Sequence, residues 1–167
     1  MSSVFNKLYY QGEYVPVNKD KCINCTNSKL KIPFYRSSWE LKFMRWLDKR
    51  IDVLEWGSEC QMIDYYSDQD NKMHTYFPDF YMKVKDKDNE IVKYMIEVKP
   101  KSQSPKLDEN NNVKYPSLPK NKTNKNLSRW SEKTAILHRN NEKWAAAKHY
   151  CSTHAMIFKV LNEDDLF

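Results

Sequence analysis

The stretch MIEVKPK, residues 95–101, decides how the rest of the chain is read. Ile96 and Val98 are apolar and share one face of a strand, while Glu97 and Lys99 alternate with them on the other. Pro100 ends the strand, because it has no N–H to give to a ladder. A carboxylate and an ammonium therefore stand side by side at a strand terminus, where both reach the same point in space.

Reading outward, DKDN (86–89) is hairpin-turn chemistry, so the strand before it, within MHTYFPDFYMKVKD (73–86), pairs back antiparallel. That strand carries a Pro78-Asp79 step, and the hairpin brings Asp79 toward Glu97 and Lys99. Upstream, SSWELKFMRWLDKR (37–50) is predicted to be a helix capped by Ser37, with Glu40 three residues on as in a capping box. Trp39, Phe43, Trp46 and Leu47 form its apolar stripe, with Met44 at the edge. Glu40 shares that inward side, and a charge there needs a partner.

Residues 52–66 suggest one or two strands with a bend at Trp56-Gly57, and SDQDNK (67–72) is a turn. Trp130, Leu137, Trp144 and Cys151 recur every seven residues and mark a helix over 127–151. AMIFKVL (155–161) is a last strand, followed by a charged tail. The order predicts an α/β fold with a mixed central sheet flanked by helices. Residues 1–34 read as an irregular arm packed on a single domain, 35–167. Within that domain, 100–126 carries four prolines and many lysines, a long basic loop that is either a solvated insertion or a flap over a nucleic-acid groove.

The net charge of +6 and the pI near 9.0 lean toward a polyanionic partner, nucleic acid first. No apolar run approaches the length of a membrane span, and the opening residues lack the layout of a signal peptide, which points to the inside of a cell. Cys22 and Cys25 form a lone CxxC. With Cys60 and Cys151 giving no second pair, ordinary reduced thiols are expected rather than zinc or a disulfide.

Asp79, Glu97 and Glu40 converge as carboxylates that repel one another unless a cation neutralises them. Oxygen ligands without thiolate or imidazole suit Mg²⁺, with Mn²⁺ as a substitute. Beside such an ion, Lys99 can hold or deprotonate an attacking water, and the outcome is phosphodiester hydrolysis. Taken singly, each residue also has a structural reading: a solvent-facing pair for Glu97 and Lys99, a turn aspartate for Asp79, and a capping-box member for Glu40.

Pro78-Asp79 with Glu97-Val98-Lys99 resembles the PD-(D/E)xK nuclease superfamily, and Glu40 matches its helix glutamate. YRSSWELKFMRWLD (35–48), WGSE (56–59), HTYFPDF (74–80), MIEVKPKSQ (95–103) and NNEKWAAAKHYC (140–151) together resemble the head-completion nucleases of tailed bacteriophages. That resemblance implies a restriction-endonuclease-like core and a Mg²⁺-dependent DNase acting on double-stranded DNA late in virion assembly. The protein would then work in the host cytoplasm or the virion, beside portal or neck proteins. It also implies metal ligation by Asp79 and Glu97, assistance from Glu40, and completion of the site by Lys99. Gln103 is expected to orient water or phosphate. Arg36, Lys101 and Lys143 are expected to bind phosphates. Glu59 is expected outside the site, in a strand-end salt bridge.

Two alternatives stay open. A transposition-type endonuclease shares the YxSxxE, PDF and ExK layout, but the sequence ends soon after 165, which counts against an added DNA-binding domain. A structural head-tail joining protein could carry the nuclease residues as a relic.

Overall fold

The computed structural model describes residues 10–109 and 113–166; the first nine residues of the arm and residues 110–112 of the basic loop lie outside the described residues. The hairpin read from the sequence is its centre. Strand β6 (Phe80–Lys85) pairs antiparallel with β7 (Ile91–Val98), with Phe80 opposite Ile96 and Tyr81 opposite Met95. Asn89 takes a left-handed φ of 64° in the connecting turn, a conformation that asparagine tolerates. β3 (Val53–Ser58) adds antiparallel to β6, and β8 (Ile157–Leu161) adds parallel to β7, giving a mixed sheet in the order β3-β6-β7-β8. A parallel neighbour needs a crossover, and helix α3 (Asn124–Thr153) supplies it.

Helices cover both faces. On one, α2 (Ser38–Lys49) sets Phe43, Met44 and Leu47 against Trp56, Phe80, Ile96 and Val98. On the other, Ala147 and Cys151 of α3 meet Met95 together with Ile63, Tyr65 and Tyr76. The last three belong to a separate antiparallel hairpin, β4 (Ile63–Ser67) and β5 (Lys72–Tyr76).

Three expectations need correction. Residues 73–86 are not one strand with a Pro-Asp step inside it. The step separates β5 from β6, which belong to different sheets, since Pro78 cannot donate to a ladder and the Asp79 side chain turns back to the backbone of Val98. Trp56-Gly57 is no bend either: β3 runs through it, and the chain turns at Glu59, at a φ of 48°. Space at Gly57 is tight: a Cβ there would sit 2.6 Å from Cys60 Sγ and 3.2 Å from Cys60 Cβ, so Cys60 would have to shift. Finally, the stripe on α2 centres on Met44, which is fully buried, while Trp46 is 40% exposed on the rim beneath the Arg50 guanidinium.

The tail after β8 forms a short helix, α4 (Glu163–Leu166), whose Leu166 packs on the α2-side core. The arm is knit into that core as well. Among its described residues are β1 (Gly12–Glu13), paired to β2 (Phe34–Tyr35), and the short helix α1 (Ile23–Thr26) between them. Cys22 is fully buried beside Trp56, and Asn24 exchanges hydrogen bonds with the backbone of Ser58, covering the β3 edge. Asp48, completely buried on α2, accepts from Tyr14 Oη, Val17 N and Asn18 N at 2.7–3.0 Å.

Candidate active site

Register places the site. Phe80 faces Ile96, so one step back along β6 and one step forward along β7 set Asp79 opposite Glu97, where the two strands end. Asp79 Oδ2 accepts from Val98 N at 2.8 Å, which locks the carboxylate over the end of β7. Lys99 N donates to Leu161 O at 3.0 Å, tying the residue beyond β7 to the end of β8. With its backbone held, the Lys99 ammonium reaches between the carboxylates, 2.9 Å from Glu97 Oε1 and 3.4 Å from Asp79 Oδ2.

Because α3 and the β4–β5 hairpin cover the second face of the sheet, Glu97 does not face solvent: its side chain is 3% exposed. Its other oxygen accepts from Tyr76 Oη at 2.7 Å. A buried carboxylate with two charge-assisted or hydroxyl partners is satisfied, and its orientation is fixed.

The electrostatics follow from this crowding. Burial and the neighbouring Glu97 push the Asp79 carboxyl up to about 7, against the opposing pull of Lys99 and the Val98 N–H, with Glu40 adding to the rise. Burial alone would lower Lys99, but Asp79 and Glu97 outweigh it and hold the ammonium above its usual range. Burial followed by Glu97 raises the Tyr76 phenol, so it remains a donor. Lys143 on α3 stands 5.3 Å above the Tyr76 ring. Its ammonium is lowered by burial and by Lys99, with Glu97 and Asp79 opposing.

Glu40 occupies its capping-box position: Ser37 Oγ accepts from Glu40 N, and the Glu40 carboxylate accepts from Arg36 N and Ser37 Oγ, both at 2.8 Å. It acts on Asp79 through its charge. Arg36 pairs with Glu59, as the strand-end salt bridge required, and that pairing first, then Glu40 and Asp79, hold its guanidinium above the ordinary value. The geometry thus gathers Asp79, Glu97, Lys99, Glu40, Arg36 and Lys143. Lys101 turns away: its ammonium pairs with Asp164, and its N–H with Glu163. Gln103 contributes its backbone carbonyl to Asn140. Tyr76 was missed in the sequence, although a polar-tipped aromatic two residues before Pro78, at a strand end, was the available signal.

The donor set fits a hard divalent cation. Two carboxylates converge without thiol or imidazole, Asp79 Oδ1 accepts nothing among the described residues, and the pair already draws an ammonium between them. A different trio, Asp68, His138 and Glu142, brings three ligand atoms within 4.8 Å of one another. Two of its three members help to pin α3 to the β4–β5 turn: Glu142 accepts from Ser67 Oγ and Asp68 N and pairs with His138, which also meets Tyr115 Oη.

Residues 51–163 match the family model described as TnsA-like endonuclease N terminal. The chain belongs to that family. TnsA-like endonuclease domains have the restriction-endonuclease-like fold, in accord with the mixed sheet found here. The chain is also 32% identical over 157 residues to the head completion nuclease of Enterobacteria phage T4, a match covering 94% of this chain and 93% of that protein. The resemblance read from the motifs at 35–165 is therefore shown, and it reaches well into residues 1–34. The TnsA-like match also places the transposition-type endonucleases among the chain's kin. No solved structure matches the chain significantly.

Proposed function

We propose that this TnsA-like chain is a divalent-metal-dependent deoxyribonuclease that acts on double-stranded DNA during completion of a phage head. The observation that carries the reading is the half-buried Lys99 ammonium held between Asp79 and Glu97. Asp79 and Glu97 would hold Mg²⁺ or Mn²⁺, which when bound supplies Lewis acidity at a phosphoryl oxygen and acidifies a water.

The chain's own residues do the rest. Tyr76 fixes the Glu97 carboxylate in one orientation. Lys99, held beside both carboxylates, would orient the attacking water and neutralise charge developing on the phosphate. Arg36 and Lys143, on opposite sides of the carboxylates, position the backbone through its phosphates. Glu40 holds Arg36 in place and adds negative charge that favours cation binding. Action on DNA ends or junctions beside a portal or neck protein, in the infected cell or the virion, belongs to the same proposal.

The test is incubation of the purified protein with linear and supercoiled circular DNA, in Mg²⁺ or EDTA, beside Glu97→Ala. Loss of substrate only with metal and wild-type protein supports the reading, and nicking or linearisation of circles assigns endonuclease chemistry of the TnsA-like kind. Cleavage that persists in EDTA or in Glu97→Ala overturns the site.

A further inference from the structure

The basic loop builds a second cationic feature, apart from the carboxylate site. Beyond β7 the chain makes a short 3-10 turn, Lys101–Gln103, then a small antiparallel contact in which Leu107 faces Val113. One position further out, Lys114 N donates to Lys106 O at 2.7 Å, so the two lysines stand directly opposite each other. Like charges so placed repel and destabilise the pairing. Lys133 of α3 joins them across a cavity of about 260 Å³, whose rim also carries Lys101, Ser102 and Ser104, and among the described residues no carboxylate lines it. Lys101 is neutralised by Asp164, but Lys106, Lys114 and Lys133 form no ion pair among the described residues.

Three lysines that line one concavity and form no ion pair among the described residues present the converse of the carboxylate problem: the missing partner is an anion. The loop is fastened in this position by more than the lysines. Trp130 Nε1 donates to Pro116 O at 2.7 Å, Tyr115 Oη meets His138 Nδ1 at 2.7 Å, and Asn140 Nδ2 donates to Gln103 O at 2.8 Å. The cluster is thus held against α3, the helix that also carries Lys143 to the carboxylates. Lys133 precedes Lys143 by ten residues on that helix, about 15 Å along its axis. That offset corresponds to about four base pairs of a duplex laid along the helix.

Resting on the nuclease reading above, we infer that Lys106, Lys114 and Lys133 grip backbone phosphates of duplex DNA a few base pairs from the bond being cut. The contacts carry affinity and register without base specificity. An array of phosphates at regular spacing suits three ammonium groups spread over a loop and a helix better than one compact anion does.

The experiment measures affinity for a labelled duplex of about 20 base pairs in EDTA over a range of salt. Wild type is compared with a Lys106→Ala/Lys114→Ala/Lys133→Ala variant. A second variant, Lys85→Ala/Lys87→Ala/Lys93→Ala, removes equal charge at the opposite end of the β6–β7 hairpin. The cluster variant should lower the slope of log affinity against log salt by about 0.9 per lysine, about 2.7 in all, and the distal variant should leave it near wild type. Arginine at all three cluster positions should keep the wild-type slope. Should the triple variant fail to fold, Lys133→Ala alone should lower the slope by about 0.9.

Equal slopes for wild type and cluster variant, in a wild type that cleaves DNA, would overturn this inference and leave the nuclease reading intact; the patch would then face an acidic protein segment. Equal losses in cluster and distal variants would overturn it too, as an effect of net charge. A wild type that neither binds nor cuts DNA would remove the nuclease reading and the inference together.

Discussion

Tyr76 Oη donates to Glu97 Oε2 at 2.7 Å, and this contact joins the β4–β5 hairpin to the end of strand β7 in the central sheet. Among the described residues the hydroxyl is the one donor on that oxygen, and Lys99 holds the other. Tyr76→Phe keeps the packing but frees the carboxylate to rotate. Loss of an outer partner of a metal-binding group costs about 10–100-fold in metal affinity or activity. The variant should therefore need about 10–100-fold more Mg²⁺ for half-maximal cleavage, with activity recovering at high Mg²⁺. An unchanged Mg²⁺ dependence in a titration would sink the role.

Asp79 carries its charge at a cost in the metal-free protein. Its folded value is pushed up to about 7 by burial and Glu97, against an ordinary 3.8. Between those values the folded state binds a proton that the unfolded state has released. Stability of the metal-free protein should therefore rise as pH falls from about 7 toward 4 and decline on the way back up. Asp79→Asn keeps an acceptor for Val98 N and removes the charge. In EDTA at pH 8 it should melt several degrees higher than wild type, about 1–2 kcal/mol more stable, with a flatter pH profile and no cleavage. A lower melting temperature than wild type would contradict the electrostatic account.

Most of this site was legible because β register is local. MIEVKPK and the DKDN turn placed Glu97 and Asp79 opposite each other before any long-range packing was known. Lys143 was singled out by motif alone, and only the crossover of α3 explains why it overlooks Tyr76. Tyr76 escaped because its partner depends on a separate hairpin folding over the sheet, which no period in β5 encodes. Asp48 escaped because an acid near a helix C-terminus reads as solvated surface, and its ligands come from thirty residues upstream. Trp46 and Met44 exchanged places because α2 packs against both the sheet and the arm.

Asp48 should prove to be the rivet of the arm. Burial alone would raise its carboxyl, but the N–H groups of Val17 and Asn18 and the Tyr14 hydroxyl outweigh that and lower it. Its stabilisation is present above the ordinary 3.8 and is lost as pH falls through the lowered folded value, in strongly acidic solution. Hydrogen bonds to a charged acceptor are worth about 1.5–3 kcal/mol each, and their effects overlap. Asp48→Ala should destabilise by about 3 kcal/mol and lower the melting temperature by about 6–12 °C. Calorimetry at neutral pH checks this, and a shift under about 2 °C would show that the arm is held by Cys22 and its apolar neighbours alone.

Lys99 separates enzyme from scaffold. Lys99→Ala leaves Asp79 and Glu97 facing each other without a counter-ion, so in EDTA the variant should be less stable than wild type, and added Mg²⁺ should restore much of the loss by filling the same space. Cleavage should not return with the metal, because the group that orients water and meets the developing charge is gone; a fall of about 10²–10⁴-fold in kcat is expected. Production of infectious phage is then the deciding measurement. If the chain completes heads by cutting DNA, a phage dependent on Lys99→Ala should yield particles that fail to infect, even though the folded protein is present. If it only joins head to tail, that phage should grow normally, and the carboxylates around Lys99 would be a relic of an ancestral nuclease.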